Sequence, residues 1–194
     1  MGSVTRVLKG QAIVLGGTLA VFWSVFVINF LLGGALLTLG VMPRTMIGLR
    51  GILFAPFLHG SLNHLVANSI PFLVLGWMVM LRDERHFIPV TLAGMVGSGL
   101  MAWLLGAPGS VHIGASGVIF GYIGFLMLNG WYTRSFGSIL LSVIVTLAWG
   151  SLVFGMMPGA SGISWQAHIG GFLGGVFAAR ALRVRRPQTS LTPT

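Results

Sequence analysis

The chain has 194 residues, 55% of them hydrophobic and only 7% charged, with a mean hydropathy of +0.95. That balance excludes a water-soluble globule, and the absence of cysteine removes disulfides and thiolate metal sites. The net charge of +9 does not mark a nucleic-acid partner, because most basic residues are scattered between apolar runs; charges so placed set topology or meet anionic lipid headgroups.

Six apolar runs approach the roughly 20 residues needed to cross a bilayer. They cover about 11–32, 62–81, 87–105, 115–131, 136–156 and 165–183, with 184–194 left as a tail. An all-α polytopic bundle in a single membrane domain, 1–194, is the expectation. Arg6 and Lys9 precede an apolar run that is longer than a signal-peptide core and lacks an A-x-A cleavage site, so it reads as a retained first span. Residues 33–61 are apolar but broken by Pro43 and Pro56. An interfacial first loop with short helices, half sunk in the outer leaflet, fits that pattern.

Arginine and lysine counts set the orientation. With a cytoplasmic N-terminus, the inner segments hold Arg6, Lys9, Arg82, Arg85, Arg134, Arg180, Arg183, Arg185 and Arg186, nine of the eleven. Only Arg44 and Arg50 fall outside. The bias places both termini in the cytoplasm.

Polar residues inside spans are expensive and mark function by default. The second span opens on His59 to Asn68, with His64 and Asn68 on one helix face; the fourth opens on Ser116; the sixth opens on Trp165-Gln166-Ala167-His168. At about 1.5 Å per residue, Ser116 lies about 27 Å from Arg134, His168 about 22 Å from Arg183 and Asn68 about 21 Å from Arg82. The three groups therefore share a depth near the outer end of their helices. Gly117 with Gly121, Gly170 with Gly174, and Gly171 with Gly175 form G-x-x-x-G steps that let the fourth and sixth spans approach closely, bringing Ser116 beside His168.

A serine hydroxyl needs a base before it attacks, and histidine is the usual one. The only carboxylates, Asp83 and Glu84, sit together on an inner loop, so a Ser116–His168 dyad is available and a triad is not. The same count excludes an aspartyl pair and an H-E-x-x-H zinc site, and neither a metal nor another cofactor is implied. The Asn68 amide, a His64 ring nitrogen and the Ser116 backbone N–H, in the first turn of its helix, are candidate donors to an oxyanion. His86, beside the inner loop, reads as solvated, and His59 as a cavity-shaping or interfacial residue.

With these residues in hand, the sequence resembles the rhomboid family of intramembrane serine proteases. The motifs are G-A-S-G at Gly114–Gly117, A-H-x-x-G at Ala167–Gly171 and H-x-x-x-x-H-x-x-x-N at His59–Asn68. The resemblance implies a rhomboid-like six-helix fold, attack by Ser116 with His168 as base and then acid, and an oxyanion held by His64, Asn68 and the Ser116 N–H. It implies transmembrane proteins as substrates, a fifth span and following loop that move to admit them, and, for so compact a form, a prokaryotic plasma membrane with the site toward the extracytoplasmic side. Two departures stand out: Phe120 replaces the family's usual tyrosine under the base ring, and Leu49-Arg50 replaces Trp-Arg. A catalytically silent, client-binding relative is the alternative, against which the retention of Ser116 and His168 argues. A transporter is disfavoured because the polar residues cluster at one depth.

Overall fold

The computed structural model describes residues 2–158 and 164–182. The expected tail 184–194, Arg183, Arg185 and Arg186 lie outside these. Helices α1 (Gly2–Leu31), α3 (Leu62–Arg82), α4 (Phe87–Leu105), α5 (Ser116–Thr133), α6 (Phe136–Trp149) and α7 (Trp165–Ala181) form an all-α membrane bundle, with one short turn, α2 (Gly51–Phe54), in the first loop. Among the described residues the only β pairing is an isolated antiparallel bridge between Val41 and His112.

Local chemistry sets the helix ends. Ser61 caps α3 by accepting the His64 backbone N–H, and Ser135 caps α6 by accepting that of Ser138. Arg134, at φ 51°, turns the chain sharply between α5 and α6. The apolar run 33–61 becomes a chain of short helical turns, 3-10 at Ala35–Leu39, Ile47–Arg50 and Ala55–Phe57, broken where Pro43 and Pro56 withhold an N–H. Met46, Ile47, Leu53 and Phe54 remain exposed on it.

Two boundaries differ from the hydropathy reading. α1 begins at Gly2 rather than near residue 11, because nothing in the preceding polar stretch breaks a helix. The fifth span, expected as one helix over 136–156, is an α-helix of 14 residues followed by a 3-10 helix, Gly150–Met156. Gly150 at the junction withdraws helix propensity.

Among the described residues three helices, Val4–Leu31, Leu62–Arg82 and Glu84–Leu105, are long and apolar enough to cross a membrane on length and composition alone. α7, at 17 residues, is shorter than these spans, and both it and α5 lie inside the bundle. α5 is the central post, its faces carrying buried Val118, Ile119, Tyr122, Ile123, Phe125 and Leu126, while glycine replaces long side chains where α7 meets its neighbours. α1, by contrast, buries one stripe, Gln11, Leu15, Phe22 and Asn29, at helical spacing. It fastens to α3 through Gln11 Oε1, which accepts from Trp77 Nε1 at 3.1 Å, and through Ser69 Oγ, which accepts from Trp23 Nε1 at 3.3 Å.

α7 is wedged between α4 and α5. A Cβ at Gly171 would collide with the carbonyl oxygen of Gly117, and one at Gly175 with that of Gly121. The other expected step faces elsewhere. Gly170 and Gly174 press against the backbone of α4 at Gly97 and Ala93, not against α5. The reason is rotational: adjacent residues on a helix point about 100° apart, so two offset G-x-x-x-G rows serve two different neighbours. His86 also differs from expectation, for it is half-buried and packs edge-on against Phe125 with ring centres 5.6 Å apart.

Gly171→Ala places a methyl against a rigid backbone and is expected to destabilise the bundle by about 1–3 kcal/mol or more. Gly16→Ala, where a Cβ meets nothing within 4 Å, is the matched control. Thermal unfolding in detergent micelles measures both; equal midpoints would contradict the close approach of α5 and α7.

Candidate active site

Ser116 is the first residue of α5, and His168 lies one turn into α7. The glycine contacts one turn deeper hold the helices close enough for His168 Nε2 to reach Ser116 Oγ at 2.8 Å. The imidazole lies flat on Phe120, with ring centres 4.2 Å apart and planes 14° off parallel. Phe120 is one helical turn below Ser116, so a single face of α5 supplies both the hydroxyl and the surface on which the partner ring rests.

His64 and Asn68 face the same cleft from α3. A cavity of about 750 Å³ is bordered by His64, Asn68, Ser116, Phe120 and His168 together with residues of the α4–α5 connection and the 3-10 turn after α6. Asn68 is buried and donates one amide N–H to the His64 carbonyl at 2.8 Å; its amide carries a second N–H. Gly114 makes room for the His64 ring. It has φ +109°, and a Cβ there would stand 2.6 Å from His64 Nε2. Its own N–H donates to the Ala55 carbonyl at 2.8 Å, tying the loop before Ser116 to the first loop.

The remaining expected residues lie behind this surface. Gly117 admits Ser98 of α4, and Gly171 admits the Gly117 carbonyl, so both set helix spacing. His59 is 1% exposed and does not border the cleft. Its ring meets His64 edge-on at 5.1 Å and rests against Phe22 at 5.6 Å.

The two carboxylates are at the other end of α3. Asp83 caps the helix and pairs with Arg85 at 2.6 Å, and the hydrogen-bonded Arg85 guanidinium holds its carboxyl down to about 2. Fifteen residues of helix separate Asp83 from Asn68, about 22 Å at the helical rise. A third, acidic member is thus absent from the Ser116–His168 pair among the described residues.

Sequence reasoning missed His112 and Ser164, which also border the cleft. His112 sits in the α4–α5 connection, its backbone bonded both ways to Val41 at 3.0 and 2.9 Å. Its Nδ1 is 2.6 Å from Ser164 Oγ. The available signal was spacing, since the pair has the same 52-residue separation as Ser116 and His168.

The family model of the Rhomboid domain matches residues 47–185. The chain belongs to the rhomboid family. An uncharacterized protein of Mycobacterium tuberculosis (strain H37Rv) is 38% identical over 191 residues, covering 92% of this chain and 80% of that protein. RHOMBOID-like protein 4 of Arabidopsis thaliana is 30% identical over 171 residues, or 81% of this chain and 42% of the plant protein. Rhomboid protease GluP of Bacillus subtilis is 33% identical over 133 residues, 64% of this chain and 24% of that protein. This rhomboid chain is accordingly an integral membrane protein.

Gly114→Ala forces a side chain into left-handed backbone and into the His64 ring. The expected loss is about 1–3 kcal/mol from the backbone strain alone, read as a lower unfolding midpoint. An unchanged midpoint would show that His64 does not occupy the space the glycine leaves.

Proposed function

We propose that this chain is an intramembrane serine endopeptidase that cuts transmembrane segments of other membrane proteins with a Ser116–His168 dyad. The observation that carries the reading is the 2.8 Å approach of the hydroxyl to an imidazole nitrogen at the edge of a cleft. The relative from Bacillus subtilis named as a rhomboid protease supports it.

In this mechanism His168 Nε2 takes the Ser116 proton as Oγ attacks the peptide carbonyl. The negative charge that develops on the carbonyl oxygen is met by the Ser116 N–H, at the positive end of the α5 dipole, by the second Asn68 N–H and by a His64 ring nitrogen. Collapse of the tetrahedral intermediate expels the amine, which takes its proton from His168, and leaves an acyl-Ser116 ester. Water then enters, gives its proton to His168, and releases the acid and the free hydroxyl. Phe120 takes on part of a carboxylate's orienting role by stacking flat against the ring. A helical substrate has its peptide groups tied in its own hydrogen bonds, so it must unwind locally before Ser116 can reach one. The arginine and lysine bias supports a site opening toward the extracytoplasmic side of a prokaryotic plasma membrane, with cytoplasmic termini.

Cleavage of a transmembrane substrate in proteoliposomes tests the reading. Ser116→Ala and His168→Ala are expected to abolish turnover with unchanged unfolding midpoints; turnover that survives Ser116→Ala would refute it. Asn68→Ala is expected to lower kcat by about ten- to a thousandfold as an oxyanion donor is lost, and unchanged kinetics would remove it from that role. The double variant Asp83→Asn, Glu84→Gln is expected to keep the single-turnover rate; a collapse would point to a carboxylate in the chemical step.

A further inference from the structure

Four residues before Ser116 stands a histidine, and four before His168 stands a serine. The residue types are exchanged: the α5 side carries His112 and then Ser116, the α7 side Ser164 and then His168. Both cross-pairs are in contact, His112 Nδ1 with Ser164 Oγ at 2.6 Å and Ser116 Oγ with His168 Nε2 at 2.8 Å.

The proton positions in the outer pair follow from its neighbours. The Ser110 hydroxyl donates to the Ala107 carbonyl at 2.6 Å, so toward His112 Nε2, 3.0 Å away, it can only accept. The ring proton is therefore on Nε2, and Nδ1 is a bare acceptor for the Ser164 hydroxyl. Burial shifts the His112 ring below its ordinary range, favouring this neutral form. The Val41 bridge fixes the His112 backbone, and Gly106 has no side chain where the ring lies.

We propose that His112 and Ser164 are positioning residues whose hydrogen bond clasps the loop before Ser116 to the head of α7. The inference rests on Ser116 and His168 being the reacting pair. Deeper than that pair, Gly171 meets Gly117 and fixes the helix spacing; above it, the clasp fixes the loop to the helix. Fastened on both sides, the hydroxyl and the imidazole keep their distance and their angle. A misplacement of about 1 Å at a reacting centre is enough to cost about a hundredfold in rate.

Ser164→Ala, which removes a single oxygen, is the decisive variant, and His112→Ala the second. Each is measured for unfolding midpoint and for kcat and KM on a transmembrane substrate in proteoliposomes. The expected result is a kcat lower by about ten- to a hundredfold, a nearly unchanged KM and midpoint, a double variant no slower than the worse single one, and recovery of most of the rate in Ser164→Thr. Wild-type kcat in Ser164→Ala at an unchanged midpoint would overturn the clasp and leave the dyad standing. Additive losses in the double variant would overturn it too, as would residual cleavage in Ser116→Ala that disappears with Ser164→Ala, since Ser164 would then act as a nucleophile. A wild-type chain with no turnover would remove the dyad and the clasp together.

Discussion

The backbone of α7 lies against the backbones of α4 and α5, and that steric constraint governs the rest of the molecule. Within a bilayer there is no hydrophobic gain from moving apolar side chains out of lipid, so helix association depends on packing. Glycine allows the closest approach, and here it stands on both sides of the contact: Gly117 against Gly171, Gly121 against Gly175, Gly97 against Gly170. Side chains at these points would push α7 outward and carry His168 away from Ser116. The 2.8 Å contact is thus a consequence of what is missing one turn below it.

The polar groups that this geometry admits are economical. α3 offers His64 and Asn68 near its capped start, where Ser61 accepts the His64 N–H. α5 offers a hydroxyl at its first residue, and α7 an imidazole in its first turn. Each helix thereby contributes to the cleft from its first two turns. The Tyr122 hydroxyl, deep in the bundle, meets the Thr91 hydroxyl at 2.8 Å instead of remaining unpaired. Asp83 and Arg85 settle their charges with each other at the far end of α3, while the His168 ring lies stacked on Phe120.

The sequence made much of this arrangement legible. The rhomboid family and the helical membrane bundle followed from apolar runs, glycine steps and three short motifs, because each reflects a local rule of spacing. The convergence of His64, Asn68, Ser116 and His168 on one cleft was readable as shared depth along separate helices. Rotation about a helix axis was harder to read. Gly170 and Gly174 look identical to Gly171 and Gly175 in sequence, yet they serve α4, because their direction depends on the third helix present. His86 lay beside charged residues and read as solvated, whereas Phe125 from a distant helix covers it. His112 and Ser164 stood outside every apolar run, so a search confined to spans passed over them. The end of α6 at Trp149 was invisible to hydropathy, which stays high through the 3-10 turn that follows.

Site mapping by mass spectrometry after reaction with a fluorophosphonate tests the central claim most directly, because the reagent marks a serine that a neighbouring base has activated. The account predicts one stable adduct, on Ser116, that fails to form when His168 is replaced by alanine. An adduct confined to another serine, or equal labelling of Ser116 without the His168 imidazole, would contradict it.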